Sequence, residues 1–282
     1  MSRNERAAEI ILTVIGLSSA TILGLIILFI FSEGAPAFAK VGVWKLITGL
    51  KWAPGKNVFG ILPMIAGSLA VTLGALVVGL PLGLGSAIYL SEFASKKTAS
   101  LMKPTVELLA GIPSVVFGFI GLTALVPFIR DRLGGPGFSV LASSVVLGVM
   151  ILPTMTSISY DALRAVPQSY REGMLAVGAT PWQTVRMAVL PAARSGILAA
   201  GILSMGRAAG ETMAVIMVAG NATIVPGSLL DPVRTMTSNI ALEMGYAAGL
   251  HRSALFATGV VLFVVIGILN IVARAAVRGR GS

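Results

Sequence analysis

The chain has 282 residues, no cysteine, one histidine and a formal charge of +10. Hydrophobic residues make up 56% of it and charged residues 11%, against about 25% charged in a soluble globular domain. This excludes a disordered protein, a nucleic-acid-binding domain and an ordinary cytosolic enzyme, and it points to a chain that crosses a bilayer several times; with no cysteine and a single histidine, disulfides, thiolate chemistry and multi-histidine metal sites are excluded too.

A spanning helix takes about 20 mostly apolar residues, and six stretches qualify, which makes the expected fold all-α and polytopic. The first covers about 8–31, with Glu9 near its start. Its apolar run is longer than the roughly 7–15 residues of a signal-peptide core. An outer segment over about 32–61 follows, with Trp44 and Trp52 expected at the membrane interface. The second span is about 62–90. The third is about 105–129, with Glu107 at its entry and a break around Gly111, Pro113 and Gly118. The fourth is about 139–158. Pro113 and Pro153 read as packing kinks, or alternatively as the lining of a gate. The fifth, about 196–219, carries Arg207 and Glu211. A second outer segment over about 221–252 contains Pro226, Pro232, a short helix expected near 235–244, and His251, expected to be solvated. The sixth span is about 253–277. The domain reading is a first helix with its outer loop over 1–61, a five-helix transmembrane domain over 62–277, and a tail over 278–282.

Orientation follows from Lys and Arg near the spans. The side holding both termini and the loops around 91–104 and 159–195 carries twelve of them, and the opposite side carries eight. Both termini are therefore expected in the cytoplasm, and the net charge is largely topological.

The loop between spans four and five, about 164–191, reads as two short helices. Pro167 starts the first, and Gly178 is placed to end it in a left-handed conformation. Thr180, Pro181 and Gln183 make an N-cap, a first-turn proline and a capping box for the second. Val185, Ala188 and Val189 give that helix an apolar face, and Pro191 is expected to end it. Local physics allows a rigid knob that pushes on a partner, or a helix pair lying on lipid headgroups.

Arg207 and Glu211 are four residues apart and, in one helix, would share a face at depth. Ionisable groups there are costly and normally face a bundle interior or a water-filled path. The pair reads either as a self-neutralising packing element or as part of a path for an oxyanion, which a guanidinium matches in geometry. Small residues around it (Gly201, Gly206, Ala208, Ala209, Gly210) and Gly79, Gly83 and Gly85 in span two read most simply as packing.

The loop also resembles the coupling loop of ABC importer permeases, whose pattern is E-A-A, three residues, G, nine residues, I-x-L-P. Here it runs Glu172-Gly173-Met174, then Gly178, then Ala188-Val189-Leu190-Pro191. The spacing matches; Gly173, Met174 and Ala188 depart from the pattern. The segments FGILPMIAGSLAVT (59–72), ELLAGIPSVVFGF (107–119) and GRAAGETMAVIMVAGN (206–221) are similar to phosphate-importer permeases of the PstC type. The resemblance implies a type I importer permease of MetI-like architecture in a prokaryotic inner membrane. Glu172, Gly178, Leu190 and Pro191 would dock an ATPase subunit, and Arg207 and Glu211 would act in translocation. It also implies a second permease subunit, two ATPase subunits and an extracytoplasmic phosphate-binding protein as partners.

The chain has no G-x-x-x-x-G-K-[ST] phosphate loop, so ATP and Mg are expected on the ATPase partner and no cofactor on this chain. A permease for molybdate, sulfate or phosphonate is the first alternative. An ion-coupled secondary phosphate transporter is the second; it would need no ATPase dock and often carries inverted repeats, which are not evident here.

Overall fold

The computed structural model describes residues 3–278. Six helical stretches in it are long and apolar enough to cross a membrane. The first, α1 (Arg3–Val41), packs on the last, α13 (Gly249–Arg278). Gly34 meets the backbone of Ala257 while Ile30 meets Gly259, so the two run antiparallel and both ends of the chain lie on one side. Of the tail expected over 278–282, residues 279–282 lie outside those described.

The centre of the bundle is α3 (Leu62–Ile88) against α7 (Val140–Arg164). Between these helices lipid offers no hydrophobic drive, so close backbone approach must supply the attraction. Small residues provide it. A methyl group on Gly79 would lie 2.5 Å from Ile151, one on Gly83 would lie 2.7 Å from Met155, and Gly148 gives Val78 the same room. Gly85, expected to pack in the same way, faces open space.

Span three differs from the expected 105–129. α4 (Lys96–Ala110) stops at Gly111, and Pro113 opens α5 (Ser114–Ile120). A π-turn (Gly121–Leu125) then leads into α6 (Val126–Leu133), and the span is Ser114–Leu133. Proline has no N–H and disfavours helical geometry in the residue before it, and with Gly111 just upstream the helix ends here. α4 is instead an amphipathic helix, capped by Ser95, whose hydroxyl accepts from the Thr98 N–H. Its Lys103 donates to Asp161 of α7 at 2.7 Å. Pro153 sits buried inside an unbroken α7.

Span five is also divided. α10 (Leu190–Gly210) stops at Gly210, Glu211 is extended, and α11 (Met213–Val218) restarts the helix. Spans one, two, four and six run past their expected bounds, to Val41, Phe93, Arg164 and back to Gly249. The added turns contain polar residues that a hydropathy window discounts.

At the opposite end from the termini lie α2 (Val43–Thr48), a hairpin pairing β1 (Trp52–Ala53) with β2 (Val58–Phe59), and α12 (Met236–Glu243). α12 lies where a short helix was expected, with Thr235 as its N-cap. Trp44 is exposed, whereas Trp52 is buried and its indole N–H donates to Glu243 at 2.8 Å. His251 is not solvated: its Nε2 lies 2.8 Å from the same carboxylate. The rings of Trp52, Phe59 and Tyr246 surround it at 5.9–6.3 Å.

Candidate coupling loop and translocation path

The loop after α7 is built from strong local signals. α8 (Gln168–Ala176) follows Pro167 and ends in a Schellman motif. The Gly178 N–H donates to Leu175 O at 3.0 Å and the Ala179 N–H to Met174 O at 3.1 Å, with Gly178 at φ +83°. Two residues on, Thr180 and Gln183 form the reciprocal capping box: Gln183 N–H donates to Thr180 Oγ1 at 3.3 Å, and Thr180 N–H to Gln183 Oε1 at 2.8 Å. α9 (Pro181–Thr184) starts there.

Pro191 does not end this helix. A π-turn (Val185–Val189) carries α9 straight into α10, with the Leu190 N–H reaching back to Val185 O. Widening the turn by one residue just before a proline accommodates its missing donor and bulky ring, so the chain continues without a break. The second loop helix and span five are therefore one continuous rod. Val185 and Val189 point inward as expected, and Leu190 packs with Ala87, Leu163, Val166 and Ala193. Glu172, Gly178 and Pro191 are exposed. The four residues expected at the ATPase dock thus divide into three at the surface and one, Leu190, that anchors the base.

Sequence reasoning missed the contact that fixes the loop to the bundle. Arg171 of α8 reaches Glu92, in a π-turn (Tyr89–Phe93) that ends α3. Its Nη2 donates to Glu92 Oε1 at 2.7 Å and its Nε to Oε2 at 3.0 Å, a bidentate pair. Nη2 also donates to Leu163 O at 2.9 Å, in the last turn of α7, and Nη1 to Val166 O at 2.8 Å, just past the end of that helix. Both side chains are largely buried. The hydrogen bonds it donates to Glu92 raise the Arg171 guanidinium above its ordinary value against the opposing effect of burial, so the charge is fixed. Beside this pair, Phe93 meets Trp182 of α9, ring centroids 6.4 Å apart. The partners are 79 residues apart in sequence, and no periodicity or spacing signal connects them.

The structure separates the two charged residues of span five. Arg207 stays on α10, is exposed on the face of the chain, and donates to Thr154 Oγ1 of α7 at 3.3 Å. Thr154 is 14 residues from the start of α7 and 10 from its end, about 21 and 15 Å along the axis, which puts Arg207 at mid-depth. Glu211 is beyond the helix end. Its carboxylate accepts from the Ala214 N–H at 3.3 Å, capping α11, and its carbonyl accepts from Thr237 of α12 at 2.9 Å. Among the described residues no carboxylate pairs with Arg207. Among the described residues nothing lies within 4 Å of where a Cβ would stand on Gly206 or Gly210.

Residues 79–280 match the binding-protein-dependent transport system inner membrane component. The chain belongs to that family. It is a multi-pass membrane protein of a family of transport components. A probable ABC transporter permease protein, YqgH, of Bacillus subtilis is 44% identical over 85% of this chain and 80% of its own length. A phosphate transport system permease protein, PstC, of Mesorhizobium japonicum is 35% identical over 95% of this chain and 86% of its own. Among solved structures, a bacterial ABC transporter involved in import of the acidic polysaccharide alginate superposes with TM-score 0.59 at 17% identity, covering 94% of this chain and 96% of that one. The MetNI methionine ABC transporter superposes with TM-score 0.57 at 22% identity, covering 84% and 96%. These two establish the shared MetI-like fold.

Proposed function

We propose that the chain is the permease subunit of an ATP-driven phosphate importer. The observation that carries the substrate is Arg207: a permanently charged, planar donor at mid-depth, with no carboxylate partner among the described residues, is suited to a tetrahedral oxyanion. The PstC relative, similar over nearly the whole chain, supports the same substrate. A single guanidinium with one hydroxyl beside it holds an anion weakly enough to release it, as conduction requires. Glu211 contributes by holding the break between α10 and α11 that leaves Arg207 at the end of a helix.

The exposed part of the loop (Glu172, Gly178 and the Pro191 turn) docks an ATPase subunit, which binds ATP and Mg; this chain hydrolyses nothing. A second permease subunit completes the path, and an extracytoplasmic binding protein delivers phosphate. The chain lies in the inner membrane of a prokaryote with both termini in the cytoplasm, as the twelve-to-eight distribution of basic residues favours.

The test is reconstitution of the full complex in proteoliposomes with its binding protein. ATP-dependent uptake of labelled phosphate, unaffected by excess sulfate or molybdate, is expected; uptake of another oxyanion in its place overturns the substrate. Since the chain has no native cysteine, Lys51→Cys and Gln183→Cys fix the orientation. An impermeant thiol reagent added to whole cells should label the first and spare the second.

A further inference from the structure

Resting on the reading of this loop as an ATPase dock, we infer that the π-turn ending α3 receives the stroke of the coupling loop, and that Glu92 and Arg171 are its positioning residues. Three observations converge on that turn. Both loop helices touch it, α8 through the bidentate Arg171–Glu92 pair and α9 through Trp182 on Phe93. Arg171 simultaneously holds Leu163 O in the last turn of α7 and Val166 O just beyond it, so one guanidinium ties the loop to both central helices. Those helices are packed closely along their length through Gly79, Gly83 and Gly148, so a displacement at their base moves them as a unit.

The chemistry suits a mechanical link. A buried bidentate pair has a fixed geometry that a monodentate ammonium does not reproduce. Neither residue is needed to form the loop itself, because α8 and α9 have their own caps at Gly178 and Thr180. Glu92 sits in a π-turn, a widened piece of helix of a kind found frequently at functional sites. Motion of α8 would therefore pull the end of α3, whereas Glu172, exposed one residue along, faces the ATPase.

The role predicts uncoupling, not loss of assembly. In the reconstituted complex, Arg171→Gln and Glu92→Gln are each expected to retain the ATPase subunits on purification and to hydrolyse ATP. The anion moved per ATP consumed should fall roughly ten-fold or more, since breaking a buried pair leaves an orphaned charge. Arg171→Lys should recover only part of the ratio, and the exchanged double variant Arg171→Glu with Glu92→Arg more than either single reversal. Asp161→Asn, which removes an exposed pair between α4 and α7, is the control and should leave the ratio within about two-fold. An unchanged ratio in both Gln variants overturns the inference. So does a fall that tracks loss of the ATPase subunits, or an equal fall in Asp161→Asn. The unmodified complex is measured with phosphate and with sulfate in parallel, so a wrong substrate shows there and leaves the ratio measurable.

Discussion

Arg207 and Glu211, four residues apart in sequence, face different structures: Arg207 ends its helix bonded to Thr154 of α7, and Glu211 has left the helix to cap α11. They are not a self-neutralising pair. The expectation that they share one face fails because Glu211 takes an extended backbone, with ψ 136°. Its side chain then stabilises the N–H end of the next helix, where a carboxylate is favoured.

This separation predicts independent effects. Arg207→Gln removes the charge proposed to meet the anion and should lower uptake about ten-fold or more, with assembly intact. Glu211→Gln keeps an oxygen for the Ala214 N–H and should be milder than Glu211→Ala, which loses the cap at a cost of about 1 kcal/mol. In the Arg207→Gln, Glu211→Gln double variant the losses should multiply, with coupling below about 0.5 kcal/mol. Recovery of uptake in the double variant would mean that the two charges balance one another after all.

Gly178 gives a cleaner test of the loop. It has φ +83° and nothing within 4 Å of where a Cβ would stand, so substitution meets no clash, only backbone strain. Gly178→Val should cost about 1–2 kcal/mol locally, disorder the turn between α8 and α9, and weaken co-purification with the ATPase. Gly178→Asn should be much better tolerated, because Asn enters the left-handed region readily. Equal behaviour of the two variants would place the glycine's importance in contact with the partner.

The parts of the fold that were legible are those written in neighbouring residues. Gly178 two residues before a Thr-Pro-x-Gln run carries both helix ends by itself, and the structure has both. Apolar length alone gives six spans, though not the bounds of the third and fifth. Three features resisted for separate physical reasons. Gly-Glu-Thr at 210–212 contains no proline, and a hydropathy window cannot see a break that tertiary partners, here Thr237, help to hold. Pro191 looks like a stop, but a π-turn absorbs it. Arg171 looks like one more topological cation; its meaning depends on Glu92, 79 residues away.

Lys103 supplies a pH prediction. The Asp161 hydrogen bond holds its ammonium above the ordinary lysine value, with burial opposing. A cation whose folded value is raised stabilises fully below its unfolded value and loses that contribution as pH climbs through the raised one. The α4–α7 contact should therefore be indifferent to pH across the neutral range and weaken only in strong alkali. Lys103→Gln should remove that alkaline step from a thermal-unfolding profile while changing the midpoint at neutral pH little, since an exposed pair contributes about 0–1 kcal/mol.

The outer end depends on one carboxylate. Glu243 of α12 accepts from Trp52 of the hairpin at 2.8 Å and from Arg234 at 2.7 Å, and lies 2.8 Å from His251 of α13. Three elements distant in sequence are thereby held at a single buried point, and Arg234 also bonds Asn221 O and Asn239. Removing the acceptor leaves a buried guanidinium with no counter-charge and an indole N–H with no partner. Glu243→Ala should accordingly destabilise the protein by about 3–5 kcal/mol. Glu243→Gln keeps an acceptor oxygen but puts an NH2 donor against one of the three donors, so an intermediate loss is expected. Trp52→Phe removes one neutral donor and should cost only about 1 kcal/mol beyond its packing change. Thermal unfolding of the purified complex orders the three variants. If Glu243→Ala unfolds no earlier than Trp52→Phe, the carboxylate is not what joins the hairpin, α12 and α13.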